Sequence, residues 1–272
     1  MTTTMTAQSP LPSSMYEAQA LESRADKAAD TGDWRQASQL LLLVLQKRKA
    51  AAGATDPGYA RVLDRLAETY IRQNQIYQAE TALTEACQIL ESAYYPEHGL
   101  VAPVLEHQAD CLIKEGKYAE AEPILKRAKE IYAKTATMEN RMTLGSIYKL
   151  VKLYLALGKP ADAKAELQKA MKHVDTPLGP IAEFHYQLAL ADIQLQDIAE
   201  ASQLLQSAIV DFKQRHNYSR VADCLEAYAR ICRESGNTID ADESLAQAEK
   251  YRRRGIQAPY PEDIFLATLL RA

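Results

Sequence analysis

An alanine that returns about every 42 residues limits most tightly what this chain can fold into. It stands at Ala37, Ala79, Ala121, Ala163, Ala201 and Ala241, at intervals of 42, 42, 42, 38 and 40 residues. Each copy closes a similar segment, among them Gly32-Asp33-Trp34-Arg35-Gln36-Ala37, Gly116-Lys117-Tyr118-Ala119-Glu120-Ala121 and Gly236-Asn237-Thr238-Ile239-Asp240-Ala241. A sustained period of this length marks a chain of stacked units, none of which can bury its apolar face alone. Before the turn runs a helical stripe such as Leu63, Leu66, Ala67 and Tyr70, or Ile147, Leu150, Val151 and Tyr154. After it runs a second stripe: Ala79, Leu83, Ala86, then Ala121, Leu125, Ala128, and so on to Ala241, Leu245, Ala248. The recurring alanine has a steric reason, because two helices leaving a short turn approach closely there. Gly32, Gly116, Gly158 and Gly236 end the first helices, where a residue of positive φ is wanted. Asn74 is the next best residue for that conformation. Gln196 suits it less, which predicts a slightly different fifth turn. Pro160 falls in the first turn of a second helix, where its missing N–H is harmless.

Composition agrees and removes several classes. Of 272 residues, 47% are hydrophobic and 25% charged, which excludes a wholly disordered chain. Only 10 glycines and 11 prolines occur, too few for an architecture built on hairpins. The net charge of −4 gives no general pull toward nucleic acid or anionic lipid. The longest apolar run, Leu40 to Leu45, cannot span a bilayer, which needs about 20 residues. No membrane insertion is expected. Residues 1–14 carry no basic residue and no apolar block, so they read as a disordered leader rather than a secretory signal. Cys87, Cys111, Cys224 and Cys232 form no close pair and read as buried thiols, consistent with a reducing cytoplasm.

The pattern resembles the tetratricopeptide repeat (TPR), and its 42-residue form resembles the repeats of kinesin light chains and their bacterial relatives. Gly116 through Ala128 matches most fully, and Tyr95-Pro96-Glu97-His98-Gly99 resembles the linker between repeats. The resemblance covers roughly 16–252. It implies an all-α, right-handed superhelical solenoid of about six helix pairs over residues 15–258, with first helices lining a concave groove and second helices forming the outer wall. Residues 259–272, apolar at Ile264, Phe265, Leu266, Leu269 and Leu270, read as a C-terminal capping helix. Because those residues fall on more than one face, the same stretch also reads as a helix that docks on a partner. Where the kinesin-type first helix carries paired asparagines, this chain has Asp64-Arg65, Glu106-His107, Tyr148-Lys149 and Tyr186-Gln187. The clamp for chaperone C-termini needs a Lys and an Asn in its opening repeat, where Glu22 and Asp26 stand here.

By the same analogy, the groove-facing candidates are Arg65, Glu68, Arg72, His107, Asp110, Lys114, Tyr148, Lys149, Lys152, Tyr186 and Arg230. Glu22, Asp26 and Asp30 make the groove acidic at its start; lysines make its middle basic, with tyrosines beside them. Arg65, Tyr148, Lys149, Lys152 and Tyr186 are expected to grip a segment carrying acidic residues, since Tyr and Arg concentrate binding energy.

Chemistry has little to stand on. No histidine pairs with another His or Cys at zinc-ligand spacing, and His185 falls on a core stripe as a structural histidine. No phosphate-binding, dinucleotide, zinc-protease or nucleophile-elbow motif occurs. No metal, no cofactor and no enzymatic activity are expected. The basic runs Gln46 to Lys49 and Tyr251 to Gly255 lie near ends of second helices, where cations complement exposed carbonyls. Leu42 or Leu43 is left facing outward, which would mark self-association unless an N-terminal segment such as Met15-Tyr16 covers it. The function expected is non-catalytic: a scaffold or adaptor binding a protein or peptide segment in its groove. A peptide-responsive regulator and an RNA-binding helical repeat are the alternatives.

Overall fold

The computed structural model describes residues 13–135, 141–172 and 181–257. Most of the leader, and the capping helix expected at 259–272, lie outside the described residues. Twelve helices fill the described chain, in six pairs that match the six sequence units. They are α1 (Ser13–Asp30) with α2 (Trp34–Ala52), α3 (Pro57–Arg72) with α4 (Ile76–Ala93), and α5 (Val101–Lys114) with α6 (Tyr118–Thr135). Then come α7 (Arg141–Ala156) with α8 (Pro160–Met171), α9 (Ile181–Leu195) with α10 (Ile198–Gln214), and α11 (Tyr218–Glu234) with α12 (Thr238–Gln257). The chain divides into two compact units, 1–131 and 132–272.

Within the first unit, α1 packs on α2, α2 on α3, α3 on α4 and α4 on α5, while α3 also touches α5. Within the second, α8 packs on α7 and α9, α10 on α9 and α11, and α12 on α11, while α9 touches both α7 and α11. In both units, first helices therefore lie side by side and second helices bridge them, the stacking expected of a helical-repeat solenoid.

All six repeat alanines have no exposed surface. The residues four and seven places later follow them inward: Leu83, Ala86, Leu125, Ala128, Leu167, Ala170, Leu205 and Ala208 are fully enclosed. In the last unit Ala248 is buried and Leu245 half-buried.

One turn geometry recurs six times. Its left-handed residue is Gly32 (φ 78°), Asn74 (59°), Gly116 (77°), Gly158 (66°), Gln196 (66°) and Gly236 (77°). In the third unit the amide of Gly116 donates to Ile113 O at 3.0 Å and that of Lys117 to Leu112 O at 2.8 Å. In the fifth, Gln196 donates to Ile193 O at 3.2 Å and Asp197 to Asp192 O at 2.9 Å. These paired bonds close a helix C-terminus in the Schellman manner. The different fifth turn expected from Gln196 is therefore corrected. Backbone hydrogen bonds and the enclosed Ala201 fix the geometry, and Gln196 is carried into the left-handed region despite its side chain.

Two substitutions test this. Gln196→Gly relieves the left-handed strain and should stabilise the chain by about 1 kcal/mol. Gly116→Ala meets no atom within 4 Å of the added Cβ, so its cost should be backbone strain alone, about 1–2 kcal/mol. Urea midpoints at constant m report both; a destabilised Gln196→Gly protein would contradict the strain.

Candidate binding faces

In the first unit the predicted groove residues are tied to one another across first helices. Arg65 of α3 reaches Glu22 at 3.5 Å and also pairs with Asp26, both on α1. Glu22 accepts from Arg48 of α2 as well, at 2.8 Å. The acidic start of the groove and its first arginine thus neutralise each other. Arg72 lies 3.6 Å from Glu68, with its guanidinium 5.5 Å from the centre of the Trp34 ring. His107 Nδ1 is 2.7 Å from Asp64 Oδ1, joining α5 to α3. Asp110 is half-buried and Lys114 exposed on the remaining turns of α5.

The second unit holds a buried polar network. Tyr148 of α7 and Lys149 beside it are each only 7% exposed, so two residues expected to grip a partner sit largely beneath the surface. For Tyr148 the physical reason is Arg220, the guanidinium of which donates to Tyr148 Oη at 3.0 Å, to Glu183 Oε1 at 2.8 Å and to Asp223 Oδ2 at 3.0 Å. Gln187 donates to Glu183 at 3.0 Å and to the same tyrosine oxygen at 3.4 Å. Tyr186, half-buried, stacks under Arg220 at 5.5 Å. Burial and the nearby Asp223 push its hydroxyl pKa up to about 12. Burial, then Glu183, raises that of Tyr148 further. Burial alone would lower the Arg220 pKa, but Glu183 and Tyr148 outweigh it and hold the cation charged. Arg220 thus joins α7, α9 and α11. Among the predicted residues of this unit, Lys152 remains exposed, its ammonium 5.6 Å from the Tyr148 ring centre. Arg230 is exposed and paired with Glu234 at 3.0 Å.

Sequence reading did not single out Arg220. Its spacing to Asp223 was visible, but Glu183 and Tyr148 lie 37 and 72 residues away, and no local signal announces such a partner.

Lys164 holds a similar position further out. Its ammonium is 2.7 Å from the enclosed Asp192, 3.4 Å from Asp197 and 3.1 Å from Glu200. Among the described residues these three carboxylates alone are grouped closely enough to hold a metal ion, and the lysine already supplies their cation. The hydrogen bond to Asp192 raises the Lys164 pKa. The four cysteines are free thiols, buried except for the half-buried Cys87. Burial, aided by neighbouring carboxylates, raises Cys87 to about 11 and Cys111 to about 12, far from the thiolate range a nucleophile needs. His185 is half-buried 3.3 Å from Ser207 Oγ, and burial lowers its pKa. No described helix is long and apolar enough to cross a membrane.

Residues 102–135, which are α5, the Gly116 turn and α6, match the tetratricopeptide repeat family. No curated protein matches the chain. Among solved structures, the nearly identical TPR-like repeats of a Podosopora anserina putative kinesin light chain are 21% identical. That match covers 75% of this chain and 99% of the other, with a TM-score of 0.61. Aspartyl phosphate phosphatase F from Bacillus subtilis is 15% identical over 89% of this chain and 61% of its own, TM-score 0.65. The Pyrococcus horikoshii signal transduction ATPase with a tetratricopeptide repeat sensor reaches a TM-score of 0.72 at 18% identity, over 93% of this chain and 38% of its own.

Arg220→Met leaves the Glu183 carboxylate buried without its cation and should cost about 3–5 kcal/mol near neutral pH. Chemical denaturation of both proteins, and of Arg220→Met combined with Glu183→Gln, measures this; a double variant no more stable than Arg220→Met would remove Glu183 as the cause.

Proposed function

We propose that this tetratricopeptide-repeat solenoid is a non-catalytic protein-interaction scaffold that holds an acidic segment of a partner along the first helices of its second unit. The observation that supports this most is Lys152. It is exposed, without a carboxylate partner among the described residues, and stands over a tyrosine that the Arg220 network holds rigid. A cation placed on a preorganised face loses little freedom when an anion docks. Tyr186 adds a ring on the neighbouring helix, and Arg230 an exposed guanidinium on the next. Arg65, Glu68, Arg72, His107, Asp110 and Lys114 form a separate polar face on the first unit. The pairing of Arg65 with Glu22 and Asp26, of Arg72 with Glu68 and of His107 with Asp64 favours a mixed-charge rather than a purely acidic segment there. The side of action we assign is the reducing cytoplasm, in keeping with four free thiols.

A second contact surface is proposed at α2. Leu42 and Leu43 are 43% and 46% exposed while Leu40, Leu41, Val44 and Leu45 are buried, and Tyr16 does not cover them, being 55% exposed itself. Self-association through this pair predicts concentration-dependent mass in sedimentation equilibrium, abolished by Leu43→Lys; a monomer at every concentration would remove it.

The scaffold reading is tested by charge reversal at the exposed position. Lys152→Glu should weaken capture of a cognate partner about tenfold or more while leaving the thermal transition in place. Unchanged capture would sink the assignment of this face.

A further inference from the structure

The basic run at the end of α12 is divided three ways. Arg252 donates to Glu226 at 2.9 Å and to Asp223 at 2.8 Å. Arg253 pairs with Glu249, one turn earlier. Arg254 instead lies over an aromatic ring, its guanidinium carbon 4.6 Å from the centre of Tyr218. Tyr218 stacks on Tyr251 with centres 5.9 Å apart, and Lys213, from the last turn of α10, lies 5.3 Å from the Tyr251 centre. His216 Nδ1 meets the Tyr218 hydroxyl at 3.0 Å. Lys250, one turn before Arg254, is exposed and lines a shallow depression that also includes Arg254.

Charge pairing makes this corner unlike its surroundings. Arg220, Arg230, Arg233, Arg252 and Arg253 of α11 and α12 each have a carboxylate within ion-pair distance. Among the described residues Lys213, Lys250 and Arg254 have none. Two of the three are held against tyrosine faces, which restricts their rotamers while leaving their N–H donors directed at an incoming anion. Each tyrosine ring has the other ring as one neighbour and a cation as another, so the rings offer little free face on which a nucleobase could stack. Donors without free rings suit carboxylates better than bases.

We propose that Lys213, Lys250 and Arg254, mounted on the Tyr218–Tyr251 stack, form an anion-binding corner that docks a glutamate- or aspartate-rich segment of a partner protein. The corner lies at the α10–α11 turn and the C-terminal end of α12, apart from Lys152 and the first-helix face. It therefore stands or falls separately from the scaffold reading of that face.

The test uses the full chain and a fluorescein-labelled peptide of alternating Glu and Gly, against the same peptide with Gln for Glu. Anisotropy at low salt should show the Glu peptide binding at least about tenfold more tightly, with the preference falling as salt rises. Lys213→Gln combined with Arg254→Gln should remove most of the preference, and Lys27→Gln, exposed on α1 in the other unit, should leave it intact. Both replaced side chains are exposed; if the double variant has an altered circular dichroism spectrum, Lys213→Gln alone must still lose at least half the preference. Equal binding of the two peptides, an unchanged double variant, or a loss with Lys27→Gln would each overturn the proposal. So would an oligouridine bound more tightly than the Glu peptide and lost in the same double variant, which would make the corner a nucleic-acid site.

Discussion

The close approach of two helices behind each left-handed turn is the contact on which the remaining structure depends. A fully enclosed alanine lets the helix axes meet, and a residue of positive φ reverses the chain before it. Those two conditions fix the angle at which each pair leaves its turn, and hence where the Leu and Ala stripes of the second helix point. Every repeat satisfies both, even where the sequence offers Asn74 or Gln196 instead of glycine. Such strain at single positions is tolerated because hydrogen bonds on both sides of the turn over-determine the backbone.

Polar contacts then fasten one first helix to the next. Arg65 ties α3 to α1, His107 ties α5 to α3, and Arg220 ties α11 to α9 and α7. Stacked repeats gain stability from nearest-neighbour interfaces, so these links add specificity where the apolar stripes are similar from unit to unit. The same links decide what each face can present. Cations consumed in cross-helix pairs cannot recruit a partner, and those left over, Lys152 above all, mark where binding is proposed.

Much of the fold was legible because its determinants are local and repeated. The alanine period, the stripes behind it and the glycine positions name the helices and their pairing, and the excess of leucine in one helix put Leu42 or Leu43 outward, where the structure exposes both. The candidate site was less legible. Helical spacing places Tyr148 and Lys149 on the first-helix side, but it cannot say that Arg220, from two repeats on, engages the Tyr148 hydroxyl or that both residues are buried. Glu22 and Asp26 were readable as acidic, not as already matched to Arg65. The run at Arg252 to Arg254 looked like a single solvated helix end, whereas three neighbouring arginines meet three different environments, since successive helical residues point about 100° apart.

In this stacking the described carboxylate cluster is filled by the chain's own Lys164, and Cys87 and Cys111 are pushed away from the thiolate form. The central claim is that a partner lies along first helices. Hydrogen exchange followed by mass spectrometry, on the free chain and on its complex with a partner captured from native lysate, measures this directly. The account predicts slowed exchange in peptides from α7, α9 and α11, with α8 and the first turns of α10 unchanged. Protection confined to α8 and α10, with the first helices exchanging as in the free chain, would contradict it.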